Sequence, residues 1–89
     1  MYYVYVLKSK KDDKLYIGST TDLKKRFQEH NSGKVESTKP RRPFVLVYYE
    51  AYGAEEDARI REDRLKKRGQ SRAQLMLRLQ HTLSHSSRE

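Results

Sequence analysis

The sequence predicts a small α+β domain whose elements follow in the order β-β-α-β-α-α. The run YYVYVLK, rich in Tyr and Val, and a second strand-like run, KLYIGS, stand close together near the N-terminus, and a third apolar run, FVLVYYEAY, follows later. Helical patterns with capping residues fill most of the remainder. A chain of 89 residues fits one domain. We assign residues 1–83 to it and expect a disordered tail at 84–89.

The first two strands, residues 2–8 and 14–19, are predicted to form a hairpin. The polar segment KKDDK lies between them, and we expect a turn with an even number of residues centred on Asp12-Asp13. Odd positions of the first strand then share a face with even positions of the second. That face carries Tyr3, Tyr5, Leu7, Tyr16 and Gly18. Gly18 would leave a gap there, which a backbone or a ligand could approach closely.

A helix is predicted from Leu23 to His30, after the N-cap candidates in STTD. Leu23, Phe27 and His30 follow the spacing of one helical face. Gly33 is predicted to end the helix in the left-handed conformation. The segment KVESTKPRRP that follows is expected to be a basic loop without regular structure, leading into the third strand.

Two further helices are predicted after the third strand. In GAEEDARIREDRLKKRG the acids come first and the bases last, as the helix dipole favours, and Gly69 closes the segment. Its inward stripe is Ala54, Ala58 and Leu65, and Glu62 flanks that stripe. The segment SRAQLMLRLQHTL is predicted as one final helix, with Ser71 and Gln74 at capping-box spacing.

The charge balance indicates an anionic partner. Twenty Lys and Arg residues against twelve Asp and Glu give a formal net charge of +8, and nucleic acid is the commonest partner of such a domain. The absence of cysteine excludes a disulfide framework and a thiolate metal site. No apolar run approaches the roughly 20 residues of a membrane span, and the N-terminus lacks a signal-peptide pattern. We therefore expect a soluble cytoplasmic protein that does not bind membranes.

Five polar side chains form a set suited to phosphodiester hydrolysis: Tyr5, Tyr16, Arg26, His30 and Glu62. A carboxylate can hold Mg²⁺, and a cation can stabilise the negative charge of the transition state. A base must take a proton from the attacking water. A phenol with the ordinary pKa of about 10 is a poor base at neutral pH, so a neighbouring cation or metal would have to lower that pKa.

The same residues carry a resemblance to the GIY-YIG endonuclease superfamily, in particular to its small stand-alone members, over residues 2 to 77. The first signature tripeptide corresponds to Tyr3-Val4-Tyr5 and the second to Tyr16-Ile17-Gly18. The run from Gly18 through Gly33, the strand segment RRPFVLVYYE and the helix pattern A-x-x-x-E-x-x-L-K also match, with Glu62 at the acidic position. The ordered set at these spacings is more specific than any one tripeptide.

The resemblance implies a three-stranded antiparallel sheet flanked by helices, which agrees with the order of elements given above. It also implies a metal-dependent endonuclease acting on DNA, in repair or processing. Tyr5 would position or deprotonate the water, and Tyr16 would form a hydrogen bond near the reacting phosphate. Arg26 would stabilise the transition state, and His30 would act as a base or orient Tyr5. Glu62 would be the single protein ligand of Mg²⁺, which Mn²⁺ could replace. Branched DNA, single-stranded DNA and RNA all stay open as substrates.

Two departures from the family pattern concern the site. Tyr3 replaces the first glycine of the signature, and Gln74 is the only candidate for an amide that follows the acid in many relatives. No second DNA-binding domain is recognisable, so a protein partner could supply targeting. We expect exposed cations to contact phosphates: Lys24, Lys25, Lys39, Arg41 and Arg42.

Less specific interpretations stay open for each residue. The tyrosines could be ordinary strand aromatics, and Arg26 a solvated helix cation. His30 could be a half-buried structural histidine, and Glu62 could pair with Arg59 or Lys66. Gln74 could serve only the capping box, and the basic loop could serve only solubility. The alternative functions are a non-catalytic nucleic-acid-binding module of the same fold and an interaction protein that uses its last helix.

Overall fold

A computed structural model describes residues 1–86 as a three-stranded antiparallel sheet with helices on both faces. The strands are β1 (Tyr2–Ser9), β2 (Leu15–Thr20) and β3 (Phe44–Tyr52), in the spatial order β2-β1-β3. The helices are α1 (Leu23–Asn31), α2 (Glu55–Lys66), α3 (Gln70–Arg78) and α4 (Gln80–Ser86). The predicted fold class is therefore confirmed, and β1 is the central strand. None of the helices in these residues has the length and apolar character that a membrane crossing requires.

The hairpin register has the predicted parity. Tyr5 pairs with Gly18 and Leu7 with Tyr16, so odd positions of β1 share a face with even positions of β2. The pairing is centred between Lys11 and Asp12, one residue earlier than predicted, because Ser9 closes the turn with Lys14. Register parity, and not the exact centre, decides which side chains share a face.

The two faces of the sheet have separate cores. On the first face Tyr5, Leu7 and Phe44 pack against Leu23 and Phe27 of α1. On the second face the β1 and β2 residues Val4, Val6 and Ile17 form a buried cluster with residues from the helical C-terminal half. Those residues are Ala58 and Leu65 of α2, Leu75 of α3 and Leu79 between α3 and α4, and Leu83 of α4 packs against the cluster. The result is three layers, with α1 on one side of the sheet and α2, α3 and α4 on the other.

Several boundaries differ from the prediction. α2 ends at Lys66, and Gly69 is the N-cap of α3 instead of the end of α2. The capping box at Ser71 was wrong, because Ser71 already lies inside α3. The final helix is broken at Leu79, which is buried, into α3 and α4. In α2 the inward stripe is Ala58 and Leu65, whereas Ala54 is its exposed N-cap.

The loop between α1 and β3 is more ordered than predicted, with a short 3-10 helix at Lys39–Arg41. Gly33 has φ +80°, so the left-handed conformation predicted for the end of α1 is confirmed. At the other end of the chain, α4 extends through Ser86, and the rest of the expected tail, residues 87–89, lies outside the described residues.

Candidate active site

Tyr5 stands at the centre of the first sheet face, with its hydroxyl directed at His30 of α1. The Tyr5 hydroxyl and His30 Nε2 are 2.8 Å apart, and both side chains are almost completely buried. Gly18 leaves room for the phenol in this position, since a Cβ at residue 18 would lie 2.5 Å from the Tyr5 hydroxyl. The gap predicted over Gly18 therefore exists, but the Tyr5 ring fills it.

His30 is held from its other side by Thr38. The Nδ1 atom of His30 is 2.8 Å from Thr38 Oγ1, and that hydroxyl also donates to the carbonyl of Val35 at 3.4 Å. Thr38 therefore accepts from Nδ1–H, which leaves the lone pair of the neutral imidazole on Nε2. Tyr5 is then the donor in its bond to His30, and the hydrogen-bond chain runs from Tyr5 through His30 and Thr38 to the accepting carbonyl of Val35.

Tyr16 completes the aromatic part of the site. Its ring centroid is 4.9 Å from that of His30 and 6.4 Å from that of Tyr5. The three rings thus share one surface, as the hairpin register predicted. At the end of α1, Asn31 fixes this arrangement, because its side-chain amide exchanges two hydrogen bonds with the backbone of Phe44 at the start of β3.

Arg26 approaches the same phenol from α1. Its guanidinium forms an ion pair with Glu29 at 3.2 Å, at i,i+3 spacing. Burial alone would lower the pKa of Arg26, but hydrogen bonding to Tyr5 and Glu29 outweighs burial and raises that pKa. Arg26 is half-exposed, and its permanent positive charge lies close enough to Tyr5 to affect the pKa of the phenol. The solvated helix cation, the less specific interpretation of Arg26, stays open beside the proposed role at the phenol, because its side chain is 37% exposed.

Burial controls the protonation of Tyr5. It raises the pKa of the phenol to about 12, while the hydrogen bond and charge of Arg26 act in the opposite direction and the negative charge of Glu62 adds to the rise. Tyr5 is therefore a protonated phenol at neutral pH. A role for Tyr5 as a base requires a partner that takes its proton, and His30 Nε2 lies at hydrogen-bond distance.

Glu62 belongs to α2 and lies at the edge strand β2. Its Oε1 accepts a hydrogen bond of 2.8 Å from Ser19, the residue after Gly18, and its Oε2 is 2.7 Å from Lys66 Nζ. The Lys66 pair is one of the structural alternatives raised from the sequence. The Glu62 side chain is 19% exposed, and its charge contributes to the raised pKa of Tyr5. The charge of Glu62 at the β2 edge thus lies close enough to Tyr5 to affect its pKa, although α2 packs on the second face of the sheet.

The rotation of α2 is fixed by the residue before Glu62. Arg61 makes a bidentate ion pair with Glu50 of β3, with nitrogen–oxygen distances of 2.9 Å. Glu50 also accepts hydrogen bonds from the Tyr48 and Tyr52 hydroxyls. Burial alone would raise the pKa of Glu50, but these donors outweigh burial and lower it. A carboxylate with this many donors stays ionised and anchors α2 on the sheet.

The five candidate phosphate-binding cations have different surroundings. Lys24, Lys25 and Lys39 are exposed. Arg42 is exposed too, but its guanidinium packs over Gly33 and donates to the carbonyl of Lys39. Arg41 is committed within the protein, through an ion pair with Asp12 at 2.8 Å and a position 5.5 Å above the ring of Phe44.

The remaining motif residues have structural positions. Val4 and Ile17 are in the core of the second face, and Tyr3 packs edge-on against Tyr49 with centroids 6.0 Å apart. Gln74 is exposed on α3, outside the groups around Tyr5. Sequence reasoning missed Thr38, Ser19 and Glu29. Glu29 could have been found from its spacing to Arg26, and Ser19 from its place beside Gly18, whereas nothing in the loop sequence distinguishes Thr38.

We expect His30 to titrate below the ordinary pKa of 6.5, because burial first and the charge of Arg26 second lower its pKa, while Glu29 opposes them. The unfolded chain gains its proton near 6.5 and the folded chain only at lower pH. The free energy of unfolding should therefore decrease as the pH falls from 7 through the folded pKa of His30. Titration of the histidine ring protons by NMR measures the pKa of His30 in the folded protein. A midpoint for His30 at or above 6.5 would contradict the buried neutral imidazole.

Comparisons with known proteins show the family of the chain. The family model described as the GIY-YIG catalytic domain matches residues 1–75. The UPF0213 protein SH2523 of Staphylococcus haemolyticus is 46% identical over 66 residues, which are 73% of this chain and 79% of that protein. The UPF0213 protein SpyM50708 of Streptococcus pyogenes is 48% identical over 67 residues, which are 74% of this chain and 72% of that protein.

A solved structure is similar as well. The solution NMR structure of the UPF0213 protein BH0048 from Bacillus halodurans superposes with a TM-score of 0.54 at 36% sequence identity. The match covers 89% of this chain and 85% of that one. The family match includes both signature tripeptides, the whole sheet, α1 and α2, and therefore every residue placed around Tyr5. The chain belongs to the GIY-YIG family, a family of nucleases.

Proposed function

We propose that this protein is a metal-dependent endonuclease that hydrolyses phosphodiester bonds in DNA, in repair or processing. The observation that carries the proposal is the buried hydrogen bond of 2.8 Å between the Tyr5 hydroxyl and His30 Nε2. A phenol with a pKa of about 12 cannot take a proton from water unless it releases its own. The neutral His30 provides the acceptor for that proton.

The proton path follows from these contacts. Tyr5 accepts a proton from the attacking water on its phenol oxygen while its own proton passes to His30 Nε2. The imidazolium that results keeps its Nδ1–H on Thr38 Oγ1, so the ring does not have to rotate. Burial destabilises this imidazolium, which returns the proton readily. Arg26, with its permanent charge beside the phenol, stabilises the negative charge that develops on the phosphate.

The donor set fits a metal ion held by one carboxylate. Mg²⁺ is commonly bound through one or two carboxylates together with water and substrate phosphates, and Glu62 is a partly exposed carboxylate whose charge reaches Tyr5. Among residues 1–86 no cluster of three His, Asp or Glu side chains suits a metal, so substrate oxygens would complete the coordination. A bound Mg²⁺ or Mn²⁺ would supply positive charge against the phosphate oxygens. Lys66, which is exposed, would release Glu62 for this role.

A non-catalytic nucleic-acid-binding module is the second candidate function. It is favoured by the two contacts of Glu62, because Ser19 and Lys66 already engage both carboxylate oxygens. Under this alternative Glu62 would only anchor α2 to β2, and the net charge of +8 would hold DNA or RNA without cutting it.

Metal removal separates the two functions. We expect the purified protein to cut at least one member of a panel of branched, nicked, single-stranded and duplex DNA and RNA in Mg²⁺ or Mn²⁺. Cutting should stop in EDTA, because the charge that the metal supplies is lost. A preparation of a Glu62 variant made in parallel controls for contaminating nuclease. Binding without cutting under every metal condition would exclude the catalytic proposal for the isolated chain and support the binding module.

A further inference from the structure

A groove of about 500 Å³ opens on the first face of the sheet, beside the candidate active site. Tyr49 of β3 and Tyr3 of β1 form one wall, and Leu46 and Phe27 provide apolar surface. Tyr49 is the direct cross-strand partner of Tyr5, so the groove and the candidate site occupy neighbouring positions on one sheet. The proton path described above uses none of the groove residues.

Tyr49 is unusually accessible for an aromatic residue in a strand. Tyr49 is 53% exposed, whereas its neighbour Tyr48 is partly buried and its cross-strand partner Tyr5 is almost completely buried. The rings of Tyr3 and Tyr49 pack edge to face, with centroids 6.0 Å apart and an interplanar angle of 63°. This packing restrains Tyr49 while leaving much of its side chain open, as a stacking platform requires.

Positive charge lies at the entrance of the groove. Lys24 lines it and Lys25 follows, both exposed at the start of α1, and within residues 1–86 neither lysine has an ion-pair partner. The one acid in the lining, Asp22, is committed to capping α1 through a hydrogen bond of 3.1 Å from the Lys25 backbone. Apolar aromatic surface next to cations fits a nucleotide, whose base is flat and whose phosphate is anionic.

We propose that this groove binds an unpaired nucleobase of the nucleic-acid strand, stacked on Tyr49 and supported by Tyr3. The proposal rests on the proposed function and narrows its substrate class. A base held in a Watson–Crick duplex cannot enter the groove without leaving the stack, which costs a few kcal/mol. The substrate is therefore a single strand or a branch point with unpaired nucleotides, and Tyr3, the replacement of the signature glycine, belongs to the recognition surface.

The test is equilibrium binding in EDTA, which does not depend on catalysis. A fluorescently labelled DNA single strand, its duplex and a fully abasic strand of equal length are titrated with the wild type, Tyr49→Leu and Tyr49→Phe. Stacking of one base changes affinity by about 5- to 150-fold, so Tyr49→Leu should weaken single-strand binding by a factor in that range. Tyr49→Phe, which keeps the ring, should bind like the wild type. Circular dichroism spectra and thermal unfolding of the variants control for folding.

The duplex and the abasic strand decide the interpretation. Both keep the phosphates but offer no unpaired base, so Tyr49→Leu should bind them as the wild type does. An equal loss of affinity for all three ligands, or no loss for the single strand, would overturn the base-binding groove and leave the proposed nuclease function untouched. A wild-type protein that binds none of the ligands would count against both the groove and nucleic acid as a partner.

Discussion

Replacing Tyr5 with phenylalanine is expected to slow cleavage by a factor of about 10²–10⁴, the usual contribution of a general acid or base. The variant keeps the ring that fills the space over Gly18, so the packing of β1 against β2 and α1 is retained. It removes the oxygen that accepts the proton of the attacking water. The measurement is the single-turnover cleavage rate in Mg²⁺ on the best substrate of the panel.

The matched control is Tyr2→Phe, which removes a phenol hydroxyl from the same strand on the opposite face. It should leave the rate unchanged. Tyr5→Phe also leaves His30 Nε2 buried without its donor, which costs about 1–3 kcal/mol of folding free energy, so the assay temperature must lie well below the melting temperature of the variant. A Tyr5→Phe protein that is folded and cuts at the wild-type rate would remove Tyr5 from the mechanism.

The sheet and its face assignment were predictable because they depend on local pattern. Tyrosine and valine runs define the strands, and a side-chain period of two places Tyr5 and Tyr16 on one face for any turn of even length. The exact centre of the hairpin was not predictable, because it depends on the turn. Asp13 adopts φ +62°, a conformation that aspartate tolerates but that an aspartate in the sequence does not by itself predict.

The helical C-terminal half was predicted less well, since its boundaries depend on tertiary contacts. No glycine or proline marks the break at Leu79, which is set by burial of that side chain against the second sheet face. α4 is then held by Lys8 of β1, whose ammonium donates to the carbonyl of Leu83. Gly69 lies in the three-residue link between α2 and α3, so the glycine alone does not indicate whether it ends α2 or begins α3.

The site was predictable as a set of residue types but not as a geometry. Spacing on α1 placed Arg26 near His30, and the family pattern pointed to Glu62. The pairing of His30 with Thr38 requires a loop that folds back over α1, and that contact has no periodic signature. The position of Glu62 across the β2 edge, bonded to Ser19, likewise depends on how α2 packs on the second face.

Replacing Glu62 with glutamine is expected to lower metal-dependent cleavage by a factor on the order of 10²–10³, the effect of losing one strong electrostatic contact to the transition state. Glutamine is nearly isosteric and keeps an oxygen that can accept from Ser19, so α2 should stay in place on β2. What disappears is the negative charge that a divalent ion needs from the protein. The measurement compares cleavage rates across a series of Mg²⁺ and Mn²⁺ concentrations.

Glu55→Gln is a close control, because Glu55 lies on the same helix and forms an i,i+4 ion pair with Arg59, as Glu62 does with Lys66. Each substitution removes one negative charge and one helix ion pair, worth about 0.3–0.5 kcal/mol where the pair is exposed. Only Glu62→Gln should change how the cleavage rate depends on metal concentration. Binding of nucleic acid in EDTA should persist in both variants, because the cations expected to contact phosphates remain. Equal metal-dependent rates in the two variants would mean that Glu62 serves the packing of α2 alone, and the metal would then have to be held by another group of this chain or by the substrate.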